Sequence, residues 1–171
     1  MAHRYKSWNG AMPTTAALPA VTTGTVIKTM LQLATPSTRQ IQLVEWGFTL
    51  DDPPGADAVF ELLEVDVAAT VTAHVASGVI KTIPGQPDSL LTLGASATEY
   101  SASAEGVPTA SRLFDAVGMS SVSAEAAPFL TYRHRFEDGE ESLVAVSKFL
   151  RIRATTPTTA VDMRCWVAWD E

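Results

Sequence analysis

The sequence predicts an all-β fold, an antiparallel β-sandwich of jelly-roll-like form with about eight strands. Short segments rich in Val, Ile, Thr and aromatic residues recur along the chain, and several alternate between apolar and polar residues. Clusters of Pro, Gly, Asp and Ser separate these segments at fairly regular intervals. No segment has the period of a helix longer than one turn. Two sheets packed face to face bury one apolar side of every strand.

The chain divides into an extended N-terminal arm, residues 1–24, and a β-sandwich domain, residues 25–171. A chain of 171 residues fits one domain, and a globule of this size buries roughly 70% of its unfolded surface, enough for a core without disulfides. The arm is rich in Ala, Thr, Pro and Gly and has no sustained period. A disordered terminus is the alternative interpretation.

The tip of the arm interleaves basic and aromatic residues: Arg4, Tyr5, Lys6 and Trp8. Aromatic side chains and Arg dominate the energetics of protein interfaces. On an otherwise acidic chain, these residues predict a clamp that binds a neighbouring subunit.

The first predicted strands lie at residues 26–33, 40–50 and 59–67. In the second of them the apolar positions change phase between Leu43 and Val44, which predicts a β-bulge at a sheet corner. The third contains Leu and Glu residues that suit a helix, but its valines and its short length favour a strand. Residues 51–55 form a predicted turn between the second and third strands.

The later predicted strands lie at residues 70–83, 111–117, 129–136, 143–155 and 161–169. Gly78 marks a break in the first of these, and the last has the plainest alternation in the chain. Residues 88–109 read as a long loop that is either functional or contains a short element. One helical turn is predicted at residues 123–126 and a hairpin-type turn at residues 137–140.

Composition excludes several classes of function. A net charge of −7 argues against nucleic acid as a partner, because such binders need a basic stripe. The single cysteine excludes an internal disulfide, and three histidines without ligand spacing predict no zinc site. We also expect no signal peptide and no membrane span, because the N-terminal region lacks a continuous apolar run. The expected place of synthesis is the cytoplasm.

No constellation of residues predicts catalysis, so the chain is expected to be neither an enzyme nor a cofactor-binding protein. Cys165 lies mid-strand among apolar neighbours, where a buried side chain is expected. His74 and His134 lie in different predicted strands without metal-ligand spacing. The acidic pairs are those expected of solvated strands and turns in an acidic chain.

Two further features are candidates for a protein interface. Arg133, Arg135, Arg151 and Arg153 lie on two strands that the sequence predicts to be adjacent, which places four guanidinium groups on one outward face. The alternative is that they pair with acidic residues of this chain. Trp166 is out of phase with its core-facing neighbours and is predicted either to be exposed as a contact residue or to pack under the N-terminal arm.

Three stretches carry a resemblance to a known family: VIKTMLQLATPSTRQIQLVEWGFTLD (26–51), VFELLEVDVAATVTA (59–73) and FLRIRATTPTTAVDMRCWVAWDE (149–171). They resemble small virion proteins of tailed phages infecting actinobacteria, among them capsid decoration, or cement, proteins. The resemblance implies a jelly-roll-like domain and a homotrimer on the capsid exterior of a virion assembled in the host cytoplasm. It also implies that the partner is the phage major capsid protein, whose subunits such a protein bridges to stabilise the shell.

Two other readings stay open. A phage tail or neck structural protein would use the same fold. A carbohydrate-binding sandwich would use aromatic side chains as sugar platforms, with Trp46, Trp166, Trp169 and Tyr100 as the candidates.

Overall fold

The computed structural model describes residues 2–121, 130–137, 139 and 142–171. The prediction of an all-β, antiparallel β-sandwich is confirmed, because every named strand pairs antiparallel and two sheets pack together. The described residues contain thirteen strands and one 3-10 turn at Ala76–Gly78. The strands are β1 (Arg4–Trp8), β2 (Val21–Thr22), β3 (Lys28–Ala34), β4 (Ile41–Leu50), β5 (Ala58–Val65), β6 (Thr70–Ala73), β7 (Val79–Lys81), β8 (Glu99–Ala104), β9 (Ser111–Met119), β10 (Leu130–Arg135), β11 (Leu143–Val144), β12 (Phe149–Thr155) and β13 (Asp162–Asp170).

The strands form two sheets, here named A and B. Sheet A has the order β10-β4-β13-β1-β7, with β11 beside β4 and β2 beside β13; sheet B has the order β6-β8-β3-β12-β5-β9. The strand number exceeds the predicted eight or so because β1, β2 and β8 lie in segments read as an arm and a loop. In addition, the predicted strand at residues 70–83 is divided into β6 and β7, and the one at residues 143–155 into β11 and β12. The jelly-roll form stays a prediction.

The core lies between the inner faces of the two sheets. Phe48 of sheet A stacks on Phe60 of sheet B, with ring centroids 4.3 Å apart, and Cys165 is buried there as predicted. The predicted bulge is also confirmed. The register of β13 shifts where Ala168 pairs with Glu45 and Trp169 pairs with Leu43, so Val44 is the extra residue on β4.

The N-terminal segment corrects one prediction. Residues Arg4–Trp8 are not a free arm but a strand inserted between β13 and β7. Tyr5 is fully buried, and the Asn9 side chain extends the attachment by donating to the Met163 carbonyl at 3.1 Å and accepting from the Cys165 N–H at 2.8 Å. The strand pairs with the far end of the chain, which satisfies its backbone hydrogen bonds in the middle of the sheet.

The other connecting segments that the structure describes agree with the predictions made from the sequence. The loop at residues 88–109 contains a short element, β8, as one of the two readings predicted. Gly78 ends the 3-10 turn that separates β6 from β7, so it is the predicted break. The predicted helical turn at residues 123–126 lies outside the described residues, as does part of the predicted turn at residues 137–140. The part of the chain that the structure describes contains no helix long and apolar enough to cross a membrane.

Candidate functional site

The side of sheet A that points away from the core brings together most of the predicted interface residues. We name it the outer face of sheet A. Period-2 alternation on β1, β10 and β13, with the paired strand β4, places these side chains on it: Arg4, Lys6, Trp8, Glu45, Gly47, Arg133, Arg135, Arg164, Trp166, Ala168 and Asp170. Tyr5 is the exception among the predicted residues of the N-terminal strand. It points into the core, where its hydroxyl donates to the Pro87 carbonyl at 2.9 Å.

Two tryptophans and a lysine form the centre of this face. Trp8 and Trp166 pair directly across β1 and β13, with ring centroids 4.9 Å apart. The Lys6 ammonium lies 4.6 Å from the Trp8 ring centroid and 5.0 Å from that of Trp166. A cation over an aromatic face is attracted by the negative side of the ring quadrupole. Partial burial lowers the pKa of Lys6, although the nearby Glu45 carboxylate offsets part of that effect.

Trp166 lies across Gly47 of the neighbouring strand. A Cβ atom at position 47 would stand 2.6 Å from Cζ2 of Trp166 and 2.5 Å from the carbonyl oxygen of Tyr132, so only glycine fits beneath this ring. Trp166 is consequently 7% exposed. The reading of Trp166 as an exposed contact residue is wrong, and the alternative, packing against the N-terminal segment, is confirmed.

Glu45 joins the aromatic centre to the arginines. Its carboxylate accepts a hydrogen bond from Nε1 of Trp166 at 2.8 Å and another from the guanidinium of Arg133. Burial raises the pKa of Glu45, but the hydrogen bonds from Arg133 and Trp166 outweigh it, so the pKa is lowered and the group stays ionised. Lys6, Trp8, Glu45, Arg133 and Trp166 thus form one connected group, which we name the tryptophan cluster.

The remaining cations of the outer face differ in how they are paired. Arg4 makes two hydrogen bonds of 2.9 Å to the Asp170 carboxylate, and Arg164 pairs with Asp51. Arg135 is exposed and has no ion pair within the described ranges. Five of the twelve Lys and Arg residues of a chain with net charge −7 therefore lie on this one face.

The structure corrects the prediction that four arginines share one face. Arg133 and Arg135 lie on β10 of sheet A, whereas Arg151 and Arg153 lie on β12 of sheet B. Arg153 pairs with Glu61 at 2.9 Å, as the alternative reading predicted.

Arg151 points away from the core as the alternation predicts, yet it is 1% exposed. Its Nε donates to Oε1 of Gln32 at 3.0 Å and its Nη1 to the Glu105 carbonyl at 3.0 Å, while Nη2 donates to the Val67 carbonyl. Chain segments around Val67 and Glu105 therefore cover it. A side chain buried in this way cannot be an interface residue of the folded protein, so that prediction is wrong for Arg151.

The sugar-platform reading loses Trp166, which is buried, and two more of its four aromatic residues. Trp46 and Trp169 are fully buried in the core. Their indole N–H groups are satisfied internally, by Asp115 at 2.9 Å and by Glu171 at 2.9 Å. Neither ring can stack on a bound sugar.

Other titratable groups are held inside the fold. Burial raises the pKa of the Cys165 thiol well above its usual value. Nε2 of His74 lies 2.9 Å from the carbonyl oxygen of Trp8, and burial lowers the pKa of His74. Within the described ranges, no group of three or more His, Cys, Asp or Glu side chains could hold a metal ion.

Sequence reasoning missed Glu45 and Gly47. The signal was present, because a glycine inside an apolar strand marks a close approach, and alternation places both residues on the same face as Arg133. Comparisons with family models, with curated proteins and with solved structures find no match to this chain. The candidate site therefore rests on the geometry of the tryptophan cluster.

Proposed function

We propose that the protein is a virion structural protein, a capsid decoration or cement protein, which binds the outer surface of a phage capsid. Its outer face of sheet A would bind the major capsid protein and bridge neighbouring subunits. The observation that supports this proposal is the tryptophan cluster. Trp and Arg are the residues most enriched at binding hot spots. Here the Glu45 carboxylate holds the exposed Arg133 in place, and the half-buried Trp8 packs on the buried Trp166.

Rigidity is what makes this surface suited to binding. A side chain that is already ordered loses less conformational entropy when a partner covers it, roughly 0.5–1.5 kcal/mol less for each flexible side chain. The cluster lies on four adjacent strands of a sheet rather than on loops, so its geometry is supported by the whole sandwich. No catalytic step is needed for this role.

The proposed oligomer is a homotrimer on the capsid exterior. A trimer that contacts several capsid subunits multiplies modest interfaces through effective concentration. Many individually weak contacts then hold the shell together, which is the expected mechanism of a cement protein.

The test is to locate the chain on virions of the phage whose genome encodes it, by cryo-electron microscopy of the intact particle. The proposal expects density for this sandwich at regular lattice positions on the outside of the head. Density confined to the tail or neck, or none on the particle, would overturn it.

A binding assay with purified particles makes the same test quantitative. Trp8→Ala is expected to lower the amount of chain that sediments with particles at least tenfold, because it removes a ring from the cluster centre. Leu113→Ala is the matched control, since Leu113 is 56% exposed but lies on the outer side of sheet B.

A further inference from the structure

Two cations on the outer face of sheet A have no carboxylate within ion-pair distance in the part of the chain that the structure describes. They are Lys6, whose ammonium rests on the two indole rings, and Arg135, which is exposed on the edge strand β10. The other three cations of this face are paired with Asp170, Glu45 and Asp51.

These two cations lie at opposite ends of one row across the sheet. Lys6 pairs with Ala168, Ala168 with Glu45, and Glu45 with Arg135. Three strand spacings of about 4.8 Å separate the ends, so their Cα atoms lie roughly 14 Å apart. An extended peptide rises about 3.3 Å per residue, and two side chains four positions apart span this distance.

The middle of the row is compatible with a neutral segment. Ala168 carries only a methyl group. The Glu45 carboxylate already accepts hydrogen bonds from Arg133 and Trp166, which offset part of its negative charge. A partner carboxylate above Glu45 would still be repelled. The complementary partner is therefore acidic at two ends and uncharged between them.

We propose that this face binds an extended protein segment with two acidic side chains four positions apart, which Lys6 and Arg135 recognise. The inference rests on the proposed function of the face as a protein-binding surface and names the chemistry of its partner. Partial burial of the Lys6 ammonium has already removed some of its hydration, which lowers the cost of forming the ion pair.

The same geometry disfavours two other classes of ligand. A sugar needs an open aromatic face, but Lys6 covers the indole pair and Trp166 is almost fully buried. A nucleic acid would bring a continuous line of phosphates against Glu45 and Asp170 on the same face.

The experiment is a titration of the ¹⁵N-labelled full chain, followed through the indole N–H signals of its tryptophans. The probe is the peptide Ser-Glu-Ala-Thr-Ala-Glu-Ser, blocked at both ends, and its matched control replaces both Glu residues by Gln. We expect the acidic peptide to shift the Trp8 and Trp166 signals. We expect its binding to weaken about tenfold between 50 and 500 mM salt, because exposed ion pairs are screened.

Variants assign the effect to the two cations. The double substitution K6Q with R135Q is expected to weaken peptide binding about tenfold. K81Q with R112Q removes the same charge from other strands, β7 and β9, and is expected to leave binding unchanged. The inference is overturned if the Gln peptide binds equally, if both double variants lose binding equally, or if an eight-nucleotide DNA strand or maltoheptaose binds more tightly than the acidic peptide.

Particle binding separates this inference from the proposed function. If wild-type chain coats particles and the K6Q, R135Q variant coats them equally well, the acidic-partner inference fails while the proposed function stands. If wild-type chain does not coat particles, the proposed function fails whatever the peptide does.

Discussion

The outer faces of the two sheets follow the same alternation in the sequence but differ in how far their side chains are exposed in the structure. On sheet A, the outward side chains of β10 are accessible, and the Arg133 side chain is 62% exposed, although Trp166 and Ala168 on β13 are buried. On sheet B, the segments around Val67 and Glu105 cover the outward side chains of Gln32 and Arg151, and the Arg151 side chain is 1% exposed. Both arginines occupy outward positions in a period-2 pattern. Alternation therefore identifies the side of a strand that faces away from the core, but not whether that side is exposed to solvent.

The two faces also treat carboxylates oppositely. Glu45 on the open face has a lowered pKa, because hydrogen bonds from Arg133 and Trp166 outweigh its burial. Glu99, which pairs in register with Gln32 on sheet B, is fully buried, and burial raises its pKa to about 8. Its Oε2 accepts from the Tyr100 N–H at 3.1 Å, while Oε1 has no hydrogen-bond partner among the described residues. Glu45 on the open face therefore keeps its charge, whereas burial favours the neutral form of Glu99 on the covered face.

The largest expected loss of stability comes from replacing Arg151, whose hydrogen bonds hold the segments around Val67 and Glu105 against sheet B. Arg151→Ala leaves the carbonyls of Val67 and Glu105 without their side-chain donor and removes one of the two hydrogen bonds that Oε1 of Gln32 accepts. Breaking such a buried charged network costs about 3 kcal/mol or more. We expect the free energy of unfolding to fall by that amount in urea denaturation. Arg133→Ala is the control, with an expected loss below about 1 kcal/mol; equal losses would contradict the difference between the faces.

The second effect is a pH dependence of stability that Glu99 confers. Because its folded pKa of about 8 lies above the unfolded value of about 4.3, the folded state keeps a proton that the unfolded state releases. The contribution of Glu99 to the free energy of unfolding is therefore fully present below the unfolded pKa and is lost as the pH rises through the folded pKa of about 8. We expect the wild type to lose on the order of 2 kcal/mol more than Glu99→Gln between pH 5 and 9, measured by urea denaturation. Parallel pH profiles of the two proteins would refute this.

A third prediction concerns the glycine beneath Trp166. Gly47→Ala places a Cβ against the indole ring and the Tyr132 carbonyl, and overpacking of this kind costs about 1–2 kcal/mol. The displaced Trp166 is expected to change the intrinsic fluorescence. Gly118→Ala on β9 is the matched control, because the nearest atom to its Cβ is 4.0 Å away. A Gly47→Ala variant with wild-type stability and fluorescence would argue against the close packing of the cluster.

The smallest effect on stability is expected at the open face. Lys6→Gln removes a cation from two indole rings, and a partly exposed cation–π contact contributes about 0.5–1 kcal/mol. We expect a loss of stability within that range in urea, whereas the K6Q, R135Q double variant is expected to bind the acidic peptide about tenfold more weakly. A loss as large as that of Arg151→Ala would mean that Lys6 is structural rather than a binding residue.

Several properties of this protein follow from the sequence by itself. The alternation of Met163, Cys165 and Val167 predicted that this strand buries one side, and all three are buried. The phase change at Leu43 and Val44 predicted the bulge that the register contains. These predictions succeed because side-chain direction in a strand and local backbone irregularity are set by neighbours in sequence.

Only the tertiary structure decided which strands are neighbours and what covers each sheet. The strand Arg4–Trp8 owes its place in sheet A to hydrogen bonds with the opposite end of the chain, such as those between His3 and Glu171. Arg151 is buried by segments far away in sequence, although its alternation resembles that of Arg133. A period of two specifies a side of a strand, while sheet membership and burial depend on contacts between residues distant along the chain, which no local pattern encodes.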